Sequence, residues 1–337
     1  MRKNLLLIAW LVGAVAASAT ERLQLVWPTP NRAWAEGKPL GAYVQDTGLG
    51  NPESGTFGGV RTDGRQFHEG IDMKCVERDR HGEPLDHIFA AMDGVVRHIN
   101  AVAGASNYGR YIVLEHPEQS PAVYTLYAHL ARIAPGLRVG ERVGRGQMIG
   151  IMGHSSDRPI PRVRAHMHFE IGVLVTRDFQ RWYDWKRFGS RNEQGIWNGM
   201  NLMGIDPLAV FNEWRAGRIA TMQDVFAHMV PEVRLRIATR RVPDFVERYP
   251  SLLTKPLPMG PVSGWEISCN WTGLPFAWTP LTAEDVIALA PGEVRITDVN
   301  SELERRERSK ILVVRRRGRW VPGRDLEEVL QQLFEIR

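Results

Sequence analysis

The chain has 337 residues, 43% of them hydrophobic and 24% charged, with a formal net charge of +5. This is ordinary globular composition with enough length for about two domains and a sizeable core. Its two cysteines, Cys75 and Cys269, exclude a disulfide scaffold, because one bridge cannot staple a chain this long.

The first nineteen residues differ from the rest. Arg2 and Lys3 precede an apolar run from Leu5 to Ala17, and Ala17-Ser18-Ala19 has the small-x-small pattern of a cleavage site. The pattern predicts a secretory signal peptide over 1–19, cut before Thr20. The run is short for a membrane span, and no cysteine follows it to carry a lipid. Cleavage would remove two positive charges and no acids, leaving a formal charge of +3. Residues 20–53 contain Pro28, Pro30, Pro39 and Pro52 and read as an irregular lead-in crossing the surface of the neighbouring domain.

From Phe57 to Val175 the chain shows short strands separated by turns. In Phe67-His68-Glu69-Gly70-Ile71-Asp72, positions 68, 70 and 72 share a face if the strand is continuous, and Gly70 would leave room for a metal. Further strands are expected over 94–100, 110–115, 123–130, 147–152 and 166–175, with turns at Asp93-Gly94, Pro135-Gly136 and Val139-Gly140. The strand over 123–130 ends on His129, and Tyr127 shares its face. In the last, His166, His168 and Glu170 alternate with Met167, Phe169, Ile171 and Val173. Two imidazoles on one strand face suit a metal ligand beside a catalytic group. Nine of the ten histidines lie between His68 and His168. The fold class expected is mainly β: an antiparallel β-sandwich or barrel-like sandwich over 54–212, followed by an α+β extension over 213–337.

Thr176 to Met203 holds Trp182, Tyr183, Trp185, Phe188 and Trp197 among basic residues. It reads as a groove wall, with a lid packed on its own aromatic core as the alternative. Beyond it, 221–249 reads as short helices with Pro231 and Pro243 at their starts. Residues 250–261 resemble a linker, 265–278 a pair of strands, and Thr282 to Asp285 a capping box opening a helix. Leu326, Val329, Leu330 and Leu333 have the spacing of an amphipathic helix. Ser301–Trp320 carries eight Arg or Lys and three Glu and reads as a charged hairpin in solvent. Nucleic acid is not expected as a partner behind a signal peptide.

The order of these motifs, H-x-x-x-D at His68 and Asp72, a strand histidine at His129, then H-x-H at His166 and His168, resembles the lysostaphin-like (LytM-type) zinc endopeptidases. Ser54-Gly55-Thr56-Phe57-Gly58, Ala91 to Val96, Tyr108 to Val113, Tyr127-Ala128-His129-Leu130, Gly146 to Gly150 and Asp206-Pro207 extend the resemblance over roughly 54–211. It implies a sandwich of the duplicated-hybrid-motif type with a groove along one face. It also implies one zinc ion per chain held by His68, Asp72 and His168, with His129 and His166 as catalytic histidines that do not bind metal. The substrate implied is the peptide of bacterial peptidoglycan, and the place of action outside the cytoplasm, with the periplasm preferred. Some family members carry a tyrosine shortly before the first histidine, whereas here Val60 to Arg65 contains none. Relatives that act as non-enzymatic regulators lose metal ligands, and this chain keeps all five positions.

Overall fold

The structure is a computed structural model that describes residues 22–48, 50–306 and 308–336, so the expected signal peptide lies outside the described residues. Residues 22–57 contain little regular structure, but they are packed inward: Leu23, Leu25, Trp34 and Val44 join the main core. Trp27 and Trp34 stack at 4.8 Å and meet Phe211 edge-on. The lead-in is therefore held by aromatic burial, a large apolar contribution per residue.

Twelve strands follow: β1 (Gly58–Arg61), β2 (Gln66–His68), β3 (Ile71–Lys74), β4 (His87–Phe89), β5 (Gly94–Asn100), β6 (Tyr111–His116), β7 (Val123–Tyr127), β8 (Arg132–Ile133), β9 (Arg142–Val143), β10 (Met148–Ile151), β11 (His166–Leu174) and β12 (Leu202–Ile205). They pair antiparallel. The largest sheet runs β12-β11-β7-β6-β5-β9, and β3 lies beside the first half of β11 while β12 lies beside its second half. A smaller sheet, β4-β10-β8, covers the same core, into which Ile88, Ile149 and Ile112 all project. This is the mainly β, sandwich-type architecture that the strand spacing predicts.

β11 organises the site. Met167, Phe169, Ile171 and Val173 enter the main core, while the opposite face carries His166, His168 and Glu170. All nine residues are buried, so the strand is covered on both faces. The register sets Asp72 directly across from His168. Gly70, expected to make room for a metal, instead makes room for backbone: a Cβ there would stand 2.2 Å from the Phe169 carbonyl oxygen. His68 and Asp72 also lie on two strands, β2 and β3, with the chain bending between them, and not on one continuous strand.

The remaining chain forms α1 (Phe179–Lys186), α2 (Pro207–Arg215), α3 (Met222–Ala227), β13 (Val233–Ile237), α4 (Asp244–Arg248), β14 (Gly264–Cys269), β15 (Pro275–Leu281), β16 (Val294–Val299), α5 (Ser301–Arg306), β17 (Val313–Arg316), β18 (Arg319–Pro322) and α6 (Arg324–Phe334). A second sheet runs β15-β14-β13-β16. Pro243 does sit at the start of α4, but Pro231 precedes strand β13, whose Val233, Leu235 and Ile237 are buried and whose arginines point outward. That period of two outweighs the proline signal. Thr282 donates both its N–H and its hydroxyl to Asp285 Oδ2, so the expected capping box is only half made, and a single 3-10 turn follows. α6 buries Leu326, Val329, Leu330 and Leu333, as their spacing predicts.

These elements share the apolar core of the β-rich part. Trp265, Trp278 and Leu330 belong to the same buried cluster as Met167 and Phe169. Polar ties cross the same boundary. Arg248 donates to the carbonyls of Leu174 and Val175, and the Leu174 N–H donates to the Tyr249 hydroxyl. Cys75 and Cys269 are both buried free thiols. Among the described residues no helix is long and apolar enough to cross a membrane.

Candidate metal centre

Three groups on three strands converge. His68 ends β2, Asp72 lies in β3 and His168 in β11, and all are buried. His68 Nε2 is 3.1 Å from Asp72 Oδ1, His168 Nδ1 is 3.1 Å from the same oxygen, and the two ring nitrogens are 2.9 Å apart. A tetrahedral zinc with bonds near 2.0 Å needs ligand atoms about 3.3 Å apart. The donor set therefore fits the ion in both type and spacing.

The outer partners fix which nitrogen faces inward. His68 donates its Nδ1 proton to the Thr56 carbonyl, leaving the Nε2 lone pair for metal. His168 donates its Nε2 proton to Glu170 Oε1 at 2.9 Å, leaving Nδ1. Glu170 is fully buried and also accepts from the Tyr108 and Tyr124 hydroxyls, at 2.7 and 2.8 Å. Glu170, which the strand alternation places on the face of His168, is thus a buried partner that orients that ring. Asp72 turns Oδ1 to the histidines because Arg61 takes Oδ2 at 2.6 Å, with Arg61 Nε anchored on the Ser54 carbonyl. Arg61 comes from the approach to His68 that lacks the family tyrosine.

The electrostatics favour a cation. Burial disfavours a charged Asp72, but His68, His166 and His168 outweigh it and hold the carboxyl well below the usual range. Burial likewise opposes charge on His168, yet the carboxylates of Asp72 and Glu170 at its two nitrogens push it up to about 10. The space between these carboxylates calls for positive charge.

His129 and His166 stand beside the triad, their rings 4.8 Å apart at a steep angle. His129 is 6.0 Å from the His168 ring, and His166 Nε2 is 3.5 Å from Asp72 Oδ1. Each donates its Nδ1 proton to a backbone carbonyl, His129 to Ser155 and His166 to Arg164. Each thus offers an unprotonated Nε2. Burial lowers the pKa of both, and neighbouring imidazoles lower His129 further, well below its usual value. Both rings are neutral at neutral pH and able to accept a proton. His129 has a left-handed backbone, φ 60°, so the alternation of β7 ends at Tyr127. This explains why Tyr127, expected to share a face with His129, is instead a core residue packed on Phe169.

One cavity of about 230 Å³ contains the triad, both histidines, Arg61 and Arg164. Of the aromatic insertion, Phe179, Trp182 and Tyr183 form a small core of their own, and Trp197 packs under Tyr124. Trp182, Tyr183 and Trp197 serve as packing, while Trp185 and Phe188 are exposed; none of the five lines the groove, which Asn198 to Met200 of the same run do line. Arg61, Tyr108 and Tyr124 escaped site assignment because their partners are 11, 62 and 46 residues away and follow no local spacing.

Fold and donor set together define a metallopeptidase centre. Residues 66–178 match the model of peptidase family M23, and they hold the motifs that resemble the lysostaphin-like type. Similar solved structures include the catalytic domain of lysostaphin from Staphylococcus simulans, at 18% identity and TM-score 0.28, covering 53% of this chain and 96% of that one. A mutant catalytic domain of the prophage-encoded M23 protein EnpA from Enterococcus faecalis is 19% identical at TM-score 0.28, covering 38% and 79%. A zinc-containing peptidase from Vibrio cholerae is 27% identical at TM-score 0.27, covering 39% and 33%. No match was found among curated proteins.

Proposed function

We propose that the chain is an exported, zinc-dependent endopeptidase that hydrolyses peptide bonds in bacterial peptidoglycan. The observation that carries this reading is the convergence of His68, Asp72 and His168 with two neutral histidines in one cavity. His68, Asp72 and His168 would hold the metal. A bound zinc supplies Lewis acidity, lowering the pKa of a coordinated water to about 7 and polarising the scissile carbonyl.

The protein's part is proton handling and orientation. His129 and His166 present paired Nε2 lone pairs on the same side of the triad, so either accepts the proton of the attacking water. The imidazolium so formed donates a hydrogen bond to the developing oxyanion, then a proton to the leaving amine. The Ser155 and Arg164 carbonyls hold both rings in the required tautomer. Glu170 and Arg61 fix the inward atoms of His168 and Asp72. Export rests on the sequence pattern of residues 1–19, and the periplasm is the preferred compartment. The proposed partner is the wall peptide itself, with no stable membrane insertion after cleavage.

Product masses test the substrate. Digestion of purified peptidoglycan should release fragments whose glycan is intact and whose masses grow by one water per peptide bond cut. A chelator should stop the reaction and added zinc restore it. Cleavage of glycan, or cleavage indifferent to chelation, would contradict the proposal.

A further inference from the structure

The metal cavity continues into a second groove of about 390 Å³, and Glu69, Asn107 and Tyr108 line both. α6 also lines this groove, through Asp325, Glu328 and Gln332. The C-terminal region thus reaches the space beside the metal centre, although no motif in it signals chemistry.

The polar groups of this groove are unequally satisfied. Glu328 pairs with Lys186 at 2.8 Å, and Asp325 accepts from the Ile311 N–H at 2.6 Å. The ammonium of Lys310, also on the groove wall, sits 4.5 Å from the Phe67 ring centre and is held there by the π face. Glu69, half-buried at the junction, has no hydrogen-bond or ion-pair partner among the described residues. Gln332 is only 7% exposed. Its Nε2 donates to the Met200 carbonyl, but its buried Oε1 has no partner. A buried acceptor left unmade is costly, and native structures rarely keep one without a use. Asp325 also pairs with Arg324 at 3.2 Å, so with Glu328 on Lys186 the lining carboxylate left without an ion partner is Glu69, and the buried Gln332 Oε1 is a second free acceptor. An anion is disfavoured, and a neutral amide would bring a surplus acceptor.

We propose that this groove is a subsite for a protonated primary amine of the substrate peptide, with Glu69 as its anchor and Gln332 of α6 as a second acceptor in the lining. The inference rests on the peptidase reading, and it adds that the C-terminal region takes part in choosing the substrate. Amine-bearing wall peptides would be preferred to acylated ones.

The test uses the full chain loaded with zinc and two ligands: a lysine-containing stem tripeptide and its Nε-acetylated twin. Calorimetry should give about tenfold tighter binding of the free amine, the worth of one charge-assisted bond. In Glu69→Gln the preference should fall to within about twofold, with zinc content unchanged. Equal binding of the twins by the wild type, or a preference that survives Glu69→Gln, would overturn the subsite. Hydrolysis of a longer amine-bearing peptide is measured in parallel. Glu69-dependent binding without any hydrolysis would keep the subsite and sink the peptidase reading, whereas hydrolysis with no amine preference would do the reverse.

Discussion

His129→Ala and His166→Ala should each lower kcat by about a hundredfold to ten-thousandfold, the usual worth of a general acid or base, while one zinc per chain stays bound. Neither ring is needed to hold metal, because the triad is complete without them. In this role both rings would act through Nε2, since Nδ1 is committed to Ser155 in one case and Arg164 in the other. The double variant should be little worse than the worse single one, as residues acting on the same proton are non-additive. Single-turnover rates on wall peptide, with metal content measured on the same samples, check this. Zinc lost together with activity would make the two histidines ligands and not proton carriers.

Glu170→Leu should weaken zinc binding by about tenfold to a hundredfold, the typical cost of removing a partner behind a metal ligand. It would also leave the His168 Nε2 proton and the Tyr108 and Tyr124 hydroxyls without acceptors in a fully buried place. Each such group costs roughly 1–3 kcal/mol, so a lowered melting temperature is expected even without metal. Tyr124→Phe removes one donor and leaves His168 oriented, so its zinc affinity should stay within about threefold of wild type. Chelator competition separates the two variants. An unchanged affinity in Glu170→Leu would mean that the carboxylate braces the fold and does not orient the ligand.

That His68, Asp72, His168, His129 and His166 converge was legible in the sequence because each sits in a short pattern or at a strand end. H-x-H gives period-two geometry directly on β11, and its register with β3 puts Asp72 opposite His168. The strands over 94–100 and 166–174 were legible for the same reason, since alternation is a local property. What local pattern does not carry is the turn of the chain. The left-handed backbone at His129 moved Tyr127 into the core, and the bend at Gly70 split His68 and Asp72 onto two strands. The supporting shell was also hidden. Glu170 could be placed on the right face, but its two tyrosines lie in the loop before β6 and on β7, and Arg61 reaches Asp72 from β1. The C-terminal region was legible at α6, where spacing is helical, and misread at β13, where a proline outweighed the alternation of Val233, Leu235 and Ile237.

The most direct test of the metal peptidase reading measures two quantities on the same preparations of residues 20–337, as wild type and as His168→Ala. These are zinc per chain and new amino groups released from purified peptidoglycan. The geometry at His68, Asp72 and His168 predicts about one zinc per wild-type chain. Amine release should accompany it, and both should be lost in the variant. A wild-type chain that binds no zinc, or a His168→Ala chain that releases amines as fast as the wild type, would contradict it.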